Sequence, residues 1–481
     1  MATTIKLKIS PTQTTRMKEQ IQLIYPTLDL FIYDFREALG DREKKINSSQ
    51  REFWQKIYAN PEYNFSSKSL DDYLLEKLVD SENSNAGFVE LLGSKQIEKF
   101  ELPLNGYYYP LQLGDTYALQ INCSGYYTDD RQQIPNSLPQ DISKLKEIKK
   151  QIIAHLGGKS TQGKIGQTWM VWGQLIENLP ALEVENIAKK CYQEIAPSPD
   201  WERNYYGQGK FLGATVFELW QQPSGWENLS KENYHLLILL FPHNLAINSI
   251  RKKIPNIYIE LIRLFCYRNK IIWTYYQSNL VKIRLKENYA WVQEAVKKVA
   301  KLTKSLRTNK TKLQQLQQLL TESLSTLADY ATDLRELNAQ ALRIEVSLEN
   351  YQKRLKQLEN NNGEVQFLEE FSDFARERYW RQIQSDYANL NPGLTLLENL
   401  LRTIEGTSNI SQAASDRSLN ATVVAIVTGL AISQISVAVI LSQPQTVSET
   451  FFVLTPAFVL SVLSGAIAGL IVLLIIRFFR R

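Results

Sequence analysis

The sequence predicts an α+β cytoplasmic domain, long coiled-coil helices and a C-terminal transmembrane hairpin of two helices. Three observations predict this class: alternating and amphipathic runs mixed together before residue 250, a heptad repeat over Val281–Leu358, and two uncharged apolar runs after residue 418. The expected divisions are residues 1–249 for the cytoplasmic α/β domain, 250–405 for the helical stalk, and 419–441 and 451–476 for transmembrane helices 1 and 2.

The N-terminal domain shows both the two-residue alternation of strands and the spacing of amphipathic helices. Alternating or short apolar runs predict strands over Thr4–Ile9, Tyr107–Leu113, Thr116–Cys123, Thr168–Trp172 and His235–Phe241. Gly114-Asp115 between the second and third runs indicates a hairpin turn, and the uniformly apolar last run indicates a central strand buried on both faces. Amphipathic spacing predicts helices over Arg16–Leu39, Leu70–Val79, Ile142–Leu156 and Val184–Ile195.

The heptad repeat is the strongest signal in the middle of the chain. Mostly apolar residues recur every seven positions along two seams, one from Leu285 to Leu355 and one from Val281 to Leu358. A strict period of seven over this length predicts a left-handed coiled coil, with one break or fold-back along it.

Two arrangements satisfy this repeat. It could pair with other copies as an oligomerisation stalk, or it could form one arm of an antiparallel hairpin within the chain, closed at the helix stop Asn360–Gly363. A second amphipathic helix is expected over Glu364–Leu390, followed by an interruption at Asn391-Pro392-Gly393 and a short helix over Leu394–Ile404.

Charge is unevenly distributed along a chain whose formal net charge is +5. Arg251–Lys312 has 16 Lys and Arg residues and three acids, whereas Thr321–Glu405 has 15 acids and nine bases. The two stretches could neutralise each other, or the basic one could meet anionic lipid headgroups or nucleic acid. Aromatic residues in the basic stretch recur at helical spacing, so packing explains most of them and nucleic acid is the least expected partner.

No catalytic constellation is recognised in the sequence. Gly157–Thr161 has the end of a phosphate-binding loop, but Ile153 stands where the loop requires its first glycine. Gly207–Gly213 misses the dinucleotide fingerprint by one residue. The three histidines are scattered, and the three cysteines have no metal or redox spacing. We therefore expect no enzyme and no cofactor, with a divalent cation considered only as a transported ion.

The two apolar runs near the C-terminus predict membrane helices. Leu419–Leu441 has 23 residues and Phe451–Ile476 has 26, all uncharged, and a bilayer core of about 30 Å needs about 20 such residues. The loop between them has one acid and no base, whereas Arg417 and three terminal arginines flank the pair. The positive-inside rule then predicts a multi-pass protein of the cytoplasmic (inner) membrane with both termini in the cytoplasm.

Small residues recur every four positions along both runs, which favours close helix packing in lipid. The candidate packing positions are Ala421, Ala425, Gly429 and Ser433 in the first run, and Ala457, Ser461, Gly465 and Gly469 in the second. The first run also has polar residues, of which Asn420, Thr428 and Gln434 are candidates to line a pore. Hydrogen bonding between helices explains the polar residues at least as well.

This order of parts resembles the CorA-like two-transmembrane metal-ion transporters. The resemblance covers Ile250–Arg481 best, through the stalk, the polar first span, the plain second span and the basic last turn. It implies a pentamer whose first membrane helix lines the pore and bears a Gly-Met-Asn triplet that reads hydrated magnesium. Ile440–Pro444 stands where the triplet belongs, so the Gly-Met-Asn motif is absent and the architecture is divergent.

These patterns together predict a non-enzymatic integral membrane protein, an oligomeric CorA-like ion channel or transporter with a cytoplasmic regulatory domain. Its expected partners are the lipid bilayer and further copies of itself, through the coiled coil and the transmembrane helices. The alternatives are a membrane-anchored coiled-coil scaffold or sensor, and a ligand-gated membrane effector, neither of which conducts ions.

Overall fold

A computed structural model describes residues 21–36, 43–57, 87–93, 96–100, 104–125, 128–129, 132–133, 138–157, 163–303, 310–362 and 365–412. These residues form a mixed β-sheet domain and long helices, which confirms the predicted α+β class with long helices. The expected strand Thr4–Ile9 and the expected helix Leu70–Val79 lie outside the described residues, as do both apolar runs with all their pore-lining and packing candidates.

The strands are β1 (Gln22–Phe35), β2 (Val89–Glu90), β3 (Glu98–Phe100), β4 (Gly106–Leu113), β5 (Thr116–Ser124), β6 (Thr128–Asp129), β7 (Gln132–Gln133), β8 (Pro139–Asp141), β9 (Gly166–Leu175), β10 (Tyr205–Phe211), β11 (Ala214–Gln221) and β12 (Tyr234–Phe241). Ten of the described strands form one sheet with the main order β10-β11-β12-β9-β1-β5-β4-β2, while β3 pairs with β4 and β8 with β1. Strands β9 and β12 are parallel, and the other pairs in this sheet are antiparallel. Strands β6 and β7 pair separately.

The helices are α1 (Glu43–Ile57), α2 (Lys144–His155), α3 (Ala181–Ile195), α4 (Trp201–Asn204), α5 (Leu229–Glu232), α6 (Ile247–Lys253), α7 (Pro255–Thr303), α8 (Lys310–Asn362), α9 (Gln366–Phe374), α10 (Arg381–Leu390) and α11 (Pro392–Gln412). A π-helical segment, Ala375–Trp380, joins α9 to α10. The predicted helices over Ile142–Leu156, Val184–Ile195 and Glu364–Leu390 are thus confirmed as α2, α3 and the α9–α10 segment, with a break before Pro392 as expected.

Four predicted strands are confirmed as β4, β5, β9 and β12, and Gly114 has the positive φ of 58° that the predicted turn between β4 and β5 needs. The expected helix over Arg16–Leu39 is wrong, because Gln22–Phe35 within it is strand β1. This strand lies between β5 and β9 in the sheet and is buried on both faces, so its apolar residues do not alternate. Pro26 within the run also disfavours a helix.

Each face of the sheet has its own layer of helices. On one face Leu30, Val171 and Ile238 belong to a core shared with α1, α2 and α3. On the other face Phe31 and Trp172 belong to a core shared with α7, α8 and α9. Successive strand residues point to opposite faces, so one sheet supports both cores.

The heptad repeat folds back within one chain. Ion pairs join Arg284 to Asp333 at 2.6 Å and Arg354 to Glu260 at 3.3 Å, so α7 and α8 run antiparallel. The reversal between α7 and α8 falls between Thr303 and Lys310. The hairpin was predicted to close at Asn360–Gly363 instead.

Helix α8 does end at Asn362, and the chain then returns along it. The Tyr351 hydroxyl donates to the Leu368 carbonyl at 2.9 Å, and the Tyr330 hydroxyl donates to the Leu390 carbonyl at 2.5 Å. The second half of the heptad therefore packs between α7 and the α9–α11 segment. The seam positions from Leu327 to Leu358 on α8 are all buried, which accounts for the apolar repeat within one chain.

Among the described helices, none combines the length and the apolar character needed to cross a membrane. This finding contradicts three predictions: the integral membrane ion transporter, its membrane-anchored alternatives, and the multi-pass location in the inner membrane. Most apolar side chains of the long helices are buried against each other and against the sheet. Residues 419–441 and 451–476, on which those predictions rested, lie outside the described part.

Candidate functional site

Two clusters of buried charged and polar side chains lie between the sheet and α7. We call them the Asp29 cluster and the Arg268 cluster, after the charged residue at the centre of each. Buried ionisable groups are rare in protein cores and concentrate at functional sites, so these clusters are the first places to look for function.

The Asp29 cluster satisfies one fully buried carboxylate with four donors. Oδ1 of Asp29 accepts hydrogen bonds from Gln120 Nε2 and Asn122 Nδ2, each at 2.8 Å. Oδ2 accepts from Trp172 Nε1 at 3.2 Å and from the Tyr258 hydroxyl of α7 at 3.1 Å. Burial raises the pKa of Asp29 to about 6, although all four donors oppose the rise. The cluster therefore joins α7 to strands β1, β5 and β9 through one carboxylate.

A strained bulge in β1 adjoins the Asp29 cluster. Tyr25 has a φ of 52°, and the register of β1 with β9 shifts between Ile24 and Thr27. The Tyr25 ring lies 5.5 Å from the Trp172 ring between centroids, and the Arg251 guanidinium lies 4.6 Å from the centroid of the Tyr25 ring. A positive φ is costly for a tyrosine, so the packing on both sides of the ring must hold this backbone in place.

The Arg268 cluster surrounds a buried guanidinium with a carboxylate and aromatic rings. Arg268 of α7 is 1% exposed, and its Nη1 lies 3.4 Å from Oε1 of Glu218 on β11. Its guanidinium carbon lies 3.9 Å from the centroid of the Phe371 ring and 4.6 Å from that of the Trp220 ring. Among the described residues no hydrogen bond satisfies its three guanidinium nitrogens. The Arg268 guanidinium therefore lies against the Glu218 carboxyl group and the faces of these rings.

A chain of polar contacts continues from Glu218 into the sheet. His235 Nε2 lies 3.1 Å from Glu218 Oε1, and His235 Nδ1 lies 3.1 Å from Thr168 Oγ1. Asn269 Nδ2 of α7 donates to Thr168 Oγ1 at 3.3 Å. One consistent set of donors has the Thr168 hydroxyl donating to His235 and the His235 ring donating to Glu218.

The burial of Glu218 and His235 determines how each of these side chains ionises. Burial raises the pKa of Glu218 to about 7, with Arg268 opposing the rise. Burial lowers the pKa of His235 well below its usual value, and the charge of Arg268 lowers it further, so the imidazole is neutral.

The order of hydroxyl, imidazole and carboxylate is that of a hydrolase triad, but its setting rules out that chemistry in this fold. Thr168, His235 and Glu218 are each at most 1% exposed and lie on three strands inside the sheet. A substrate carbonyl would have to reach the Thr168 hydroxyl, and the fold leaves this atom no contact with solvent. These polar contacts instead fix the position of α7 on the sheet.

The sequence motifs that resemble nucleotide sites have structural roles where they are described. Gly157 follows α2 with a φ of 69°, a left-handed helix end, while residues 158–162 lie outside the described part. Gly207 and Gly209 lie under Phe367 of α9, where a Cβ on Gly209 would stand 2.4 Å from the Phe367 ring. These glycines on β10 allow α9 to approach the strand closely. Their resemblance to a dinucleotide-binding fingerprint did not indicate this role.

The remaining chemistry-bearing residues do not gather into a site within the described part. Cys123, Cys191 and Cys266 are free and buried. No three or more His, Cys, Asp or Glu side chains of the described residues are placed to hold a metal ion. The predicted pore-lining residues Asn420, Thr428 and Gln434 lie outside the described residues.

Sequence reasoning missed Asp29, Glu218 and Arg268. Asp29 and Glu218 are each the one charged residue in a local run of apolar and aromatic residues, such as Leu28–Tyr33 around Asp29, whereas Arg268 directly follows the run Leu264–Tyr267. A charge in such a run signals either an edge position or a buried partner from elsewhere in the chain. That signal was available, but the partners themselves could not be identified from spacing.

No protein-family model, curated protein or solved structure matches this chain. Nothing among these comparisons bears on the CorA-like resemblance, so the function is argued from the geometry of this chain alone. The fold and the two clusters define an α+β base with a helical arm fixed onto it.

Proposed function

We propose that the protein is a non-enzymatic scaffold, in which the sheet domain is a base and paired helices form an arm whose basic end binds an acidic protein surface. The observation that carries this proposal is the continuity of α7, a single helix of 49 residues. Its first half packs on the sheet and its second half packs on α8, α10 and α11, so the base and the arm share one rigid element.

The first half of α7 is held on the sheet domain by contacts at three points along its length. Tyr258 binds Asp29, Arg268 lies against Glu218, and the Tyr276 hydroxyl donates to the Pro223 carbonyl at 2.5 Å. These contacts span about 27 Å of helix at 1.5 Å per residue, which resists rotation of α7 about any one of them.

The second half of α7 forms the arm with the first half of α8 and with α11. Lys282 pairs with Asp386 at 2.6 Å, and further along Ala295, Val299, Leu316 and Leu400 belong to one buried cluster. Residues 277–303 extend about 40 Å along the helix axis. Because the apolar seams are buried inside this bundle, a partner would meet the outer face of the arm.

The end of the arm has an excess of basic residues, although Lys297 pairs with Glu294 at 3.8 Å. Ala295–Thr321 has seven Lys and Arg residues and no acid. Closer to the base, basic residues are paired with acidic ones: Arg284 pairs with Asp333, and Lys282 pairs with Asp386. The basic and acidic stretches thus neutralise each other near the base, and the surplus at the arm end favours an acidic partner.

Fluorescent poly-L-glutamate, titrated with the full chain, tests the arm. The triple variant Lys297→Glu, Lys298→Glu and Lys301→Glu should weaken binding by about tenfold or more, since each exposed charge contributes a small additive amount. Binding of the wild type should also fall with added salt, because exposed charges are screened.

A matched triple on the base, Lys146→Glu, Lys150→Glu and Lys190→Glu, changes the net charge equally and should leave binding unchanged. These lysines are exposed on α2 and α3, on the opposite side of the sheet from α7. Equal loss in both triples, or no binding by the wild type, would contradict the proposal. Tighter binding of duplex DNA than of polyglutamate would assign the arm a different partner.

A further inference from the structure

Helix α9 lies like a strap across the sheet edge formed by β10. It has nine residues and seats Phe367 over Gly207 and Gly209. Phe371 and Phe374 each pack edge-on against Trp220, with ring centroids 5.6 Å apart. The strap is followed by the π-helical segment, a geometry that is rare in helices and frequent at functional sites.

The strap forms the outer wall of the Arg268 cluster. The Phe371 ring lies against the Arg268 guanidinium, and the Tyr351 hydroxyl of α8 donates to the Leu368 carbonyl within the strap. Glu218 and His235 form the inner wall of the cluster. Displacement of the strap would therefore admit water to the Glu218–Arg268 pair, while the long helices and the sheet keep their own contacts.

Several titratable groups face this pair from the surrounding elements. They are Tyr206 on β10, His235 on β12, Tyr351 on α8 and Tyr379 in the π-helical segment. Burial raises the pKa of each of these tyrosines, and His235 is held neutral, so none of them gains a charge near neutral pH. Glu370 and Asp373 lie on the exposed side of the strap.

We propose that closure of the strap α9 on the sheet is coupled to the binding of one proton by Glu218. When the strap is closed, Glu218 is excluded from water, which favours its neutral form more than water does. When the strap is open, water reaches the carboxylate and the charged form is favoured. Closing therefore takes up a proton, so acidification closes the strap and a rise in pH opens it.

The size of the effect follows from the ionisation of Glu218 in the two states. Burial raises the pKa of Glu218 to about 7 in the closed form. With an ordinary carboxylate in the open form, the ratio of open to closed protein rises by up to about tenfold between about pH 6 and about pH 8. This coupling does not depend on what the arm binds.

Thiol labelling of the full chain measures the opening. Ser372 is 2% exposed on the strap, and a Ser372→Cys thiol should be modified by N-ethylmaleimide only when the strap opens. Gln366→Cys, exposed on the same helix, is the matched reference that cancels the ionisation of the thiol. We expect the labelling rate at 372 relative to 366 to rise by up to about tenfold from about pH 6 to about pH 8.

The variant Glu218→Gln has an uncharged side chain at every pH. It should therefore remove the rise in relative labelling rate, and the Ser372→Cys thiol should be labelled slowly at both pH values. A constant ratio in the wild type, or the same rise in Glu218→Gln, would overturn the proposal. Hydrogen exchange gives a second readout without a new thiol. At about pH 8 the amides of Phe371 and Phe374 should exchange more slowly in Glu218→Gln than in the wild type, and equal or faster exchange would also overturn it.

Discussion

Gly207 and Gly209 occupy alternate positions under Phe367, yet only Gly209 has to be glycine. A Cβ at Gly209 would stand 2.4 Å from the Phe367 ring, whereas at Gly207 the nearest atom would be 3.5 Å away, an ordinary contact. We expect Gly209→Ala to lower the free energy of unfolding by about 1–3 kcal/mol, because α9 must shift outward. Urea denaturation of both alanine variants measures this, and an equal loss in the two would show that the close approach is not the cause.

The buried carboxylate of Asp29 predicts a particular dependence of stability on pH. Burial raises its pKa to about 6, so between about pH 4 and about pH 6 the folded chain binds this proton more tightly than the unfolded chain. The contribution of Asp29 to stability is full at low pH and is lost as pH rises through this window. Asp29→Asn removes this ionisation, although its amide meets hydrogen-bond donors and costs stability at every pH.

The measurable outcome is a difference between two profiles. The free energy of unfolding of Asp29→Asn, relative to the wild type, should increase from about pH 4 to about pH 6 and stay constant above that. Glu218 is present in both proteins, so its own contribution cancels. Parallel profiles over this window in urea titrations would show that Asp29 titrates alike in the folded and unfolded chains.

The charged residues of the two clusters show why a site of this kind is hard to predict from sequence. Asp29 meets Tyr258, which lies 229 positions later in the chain, and Gly209 meets Phe367. Each local run indicates only that a charge or a glycine is unusual there. The partners are set by how the sheet and α7 pack, and no spacing rule contains that information.

At the level of elements, the heptad repeat was informative because its period has a direct physical meaning. Residues seven apart lie on one helix face, and the seam positions on α8 from Leu327 to Leu358 are indeed buried. A break or fold-back along the repeat was predicted, but its position between Thr303 and Lys310 was missed because that stretch has no glycine or proline to end a helix. Strand β1 was missed because a strand buried on both faces lacks alternation.

The seam predicts different costs for two leucines one heptad apart. Leu327 is 5% exposed, whereas Leu320 is only partly buried. Leu327→Asp should lower the free energy of unfolding by about 3–5 kcal/mol, since it places an unpaired charge in an apolar seam, and Leu320→Asp should cost less. Circular dichroism during urea unfolding measures both.

Light scattering on the same two variants distinguishes pairing within the chain from pairing between chains. Because the seam is filled by residues of one chain, we expect neither aspartate to change the mass of the assembly under native conditions. A fall in mass with helicity intact would show that the seam also pairs between copies, which is the arrangement the sequence left open.

At the level of the whole molecule, the sheet is completed by helices from both halves of the chain. Its second face is covered by α7, α8 and α9, all of which follow residue 254. The sequence suggested a division near residue 249, where the mixed pattern changes to helix. That boundary marks a change of secondary structure, but Phe31, Trp172 and Leu239 on the strands belong to the same core as the helices after it.

We therefore expect residues 1–253 alone to fail to fold and residues 1–412 to fold cooperatively. Without α7, Phe31 and Trp172 would face water, Asp29 would lose the Tyr258 donor, and Glu218 would lose its only cation among the described residues. Size-exclusion chromatography and thermal circular dichroism of the two fragments test this expectation. A monodisperse 1–253 fragment with a single sharp unfolding transition would contradict it, because the base would then be a domain that only carries the arm.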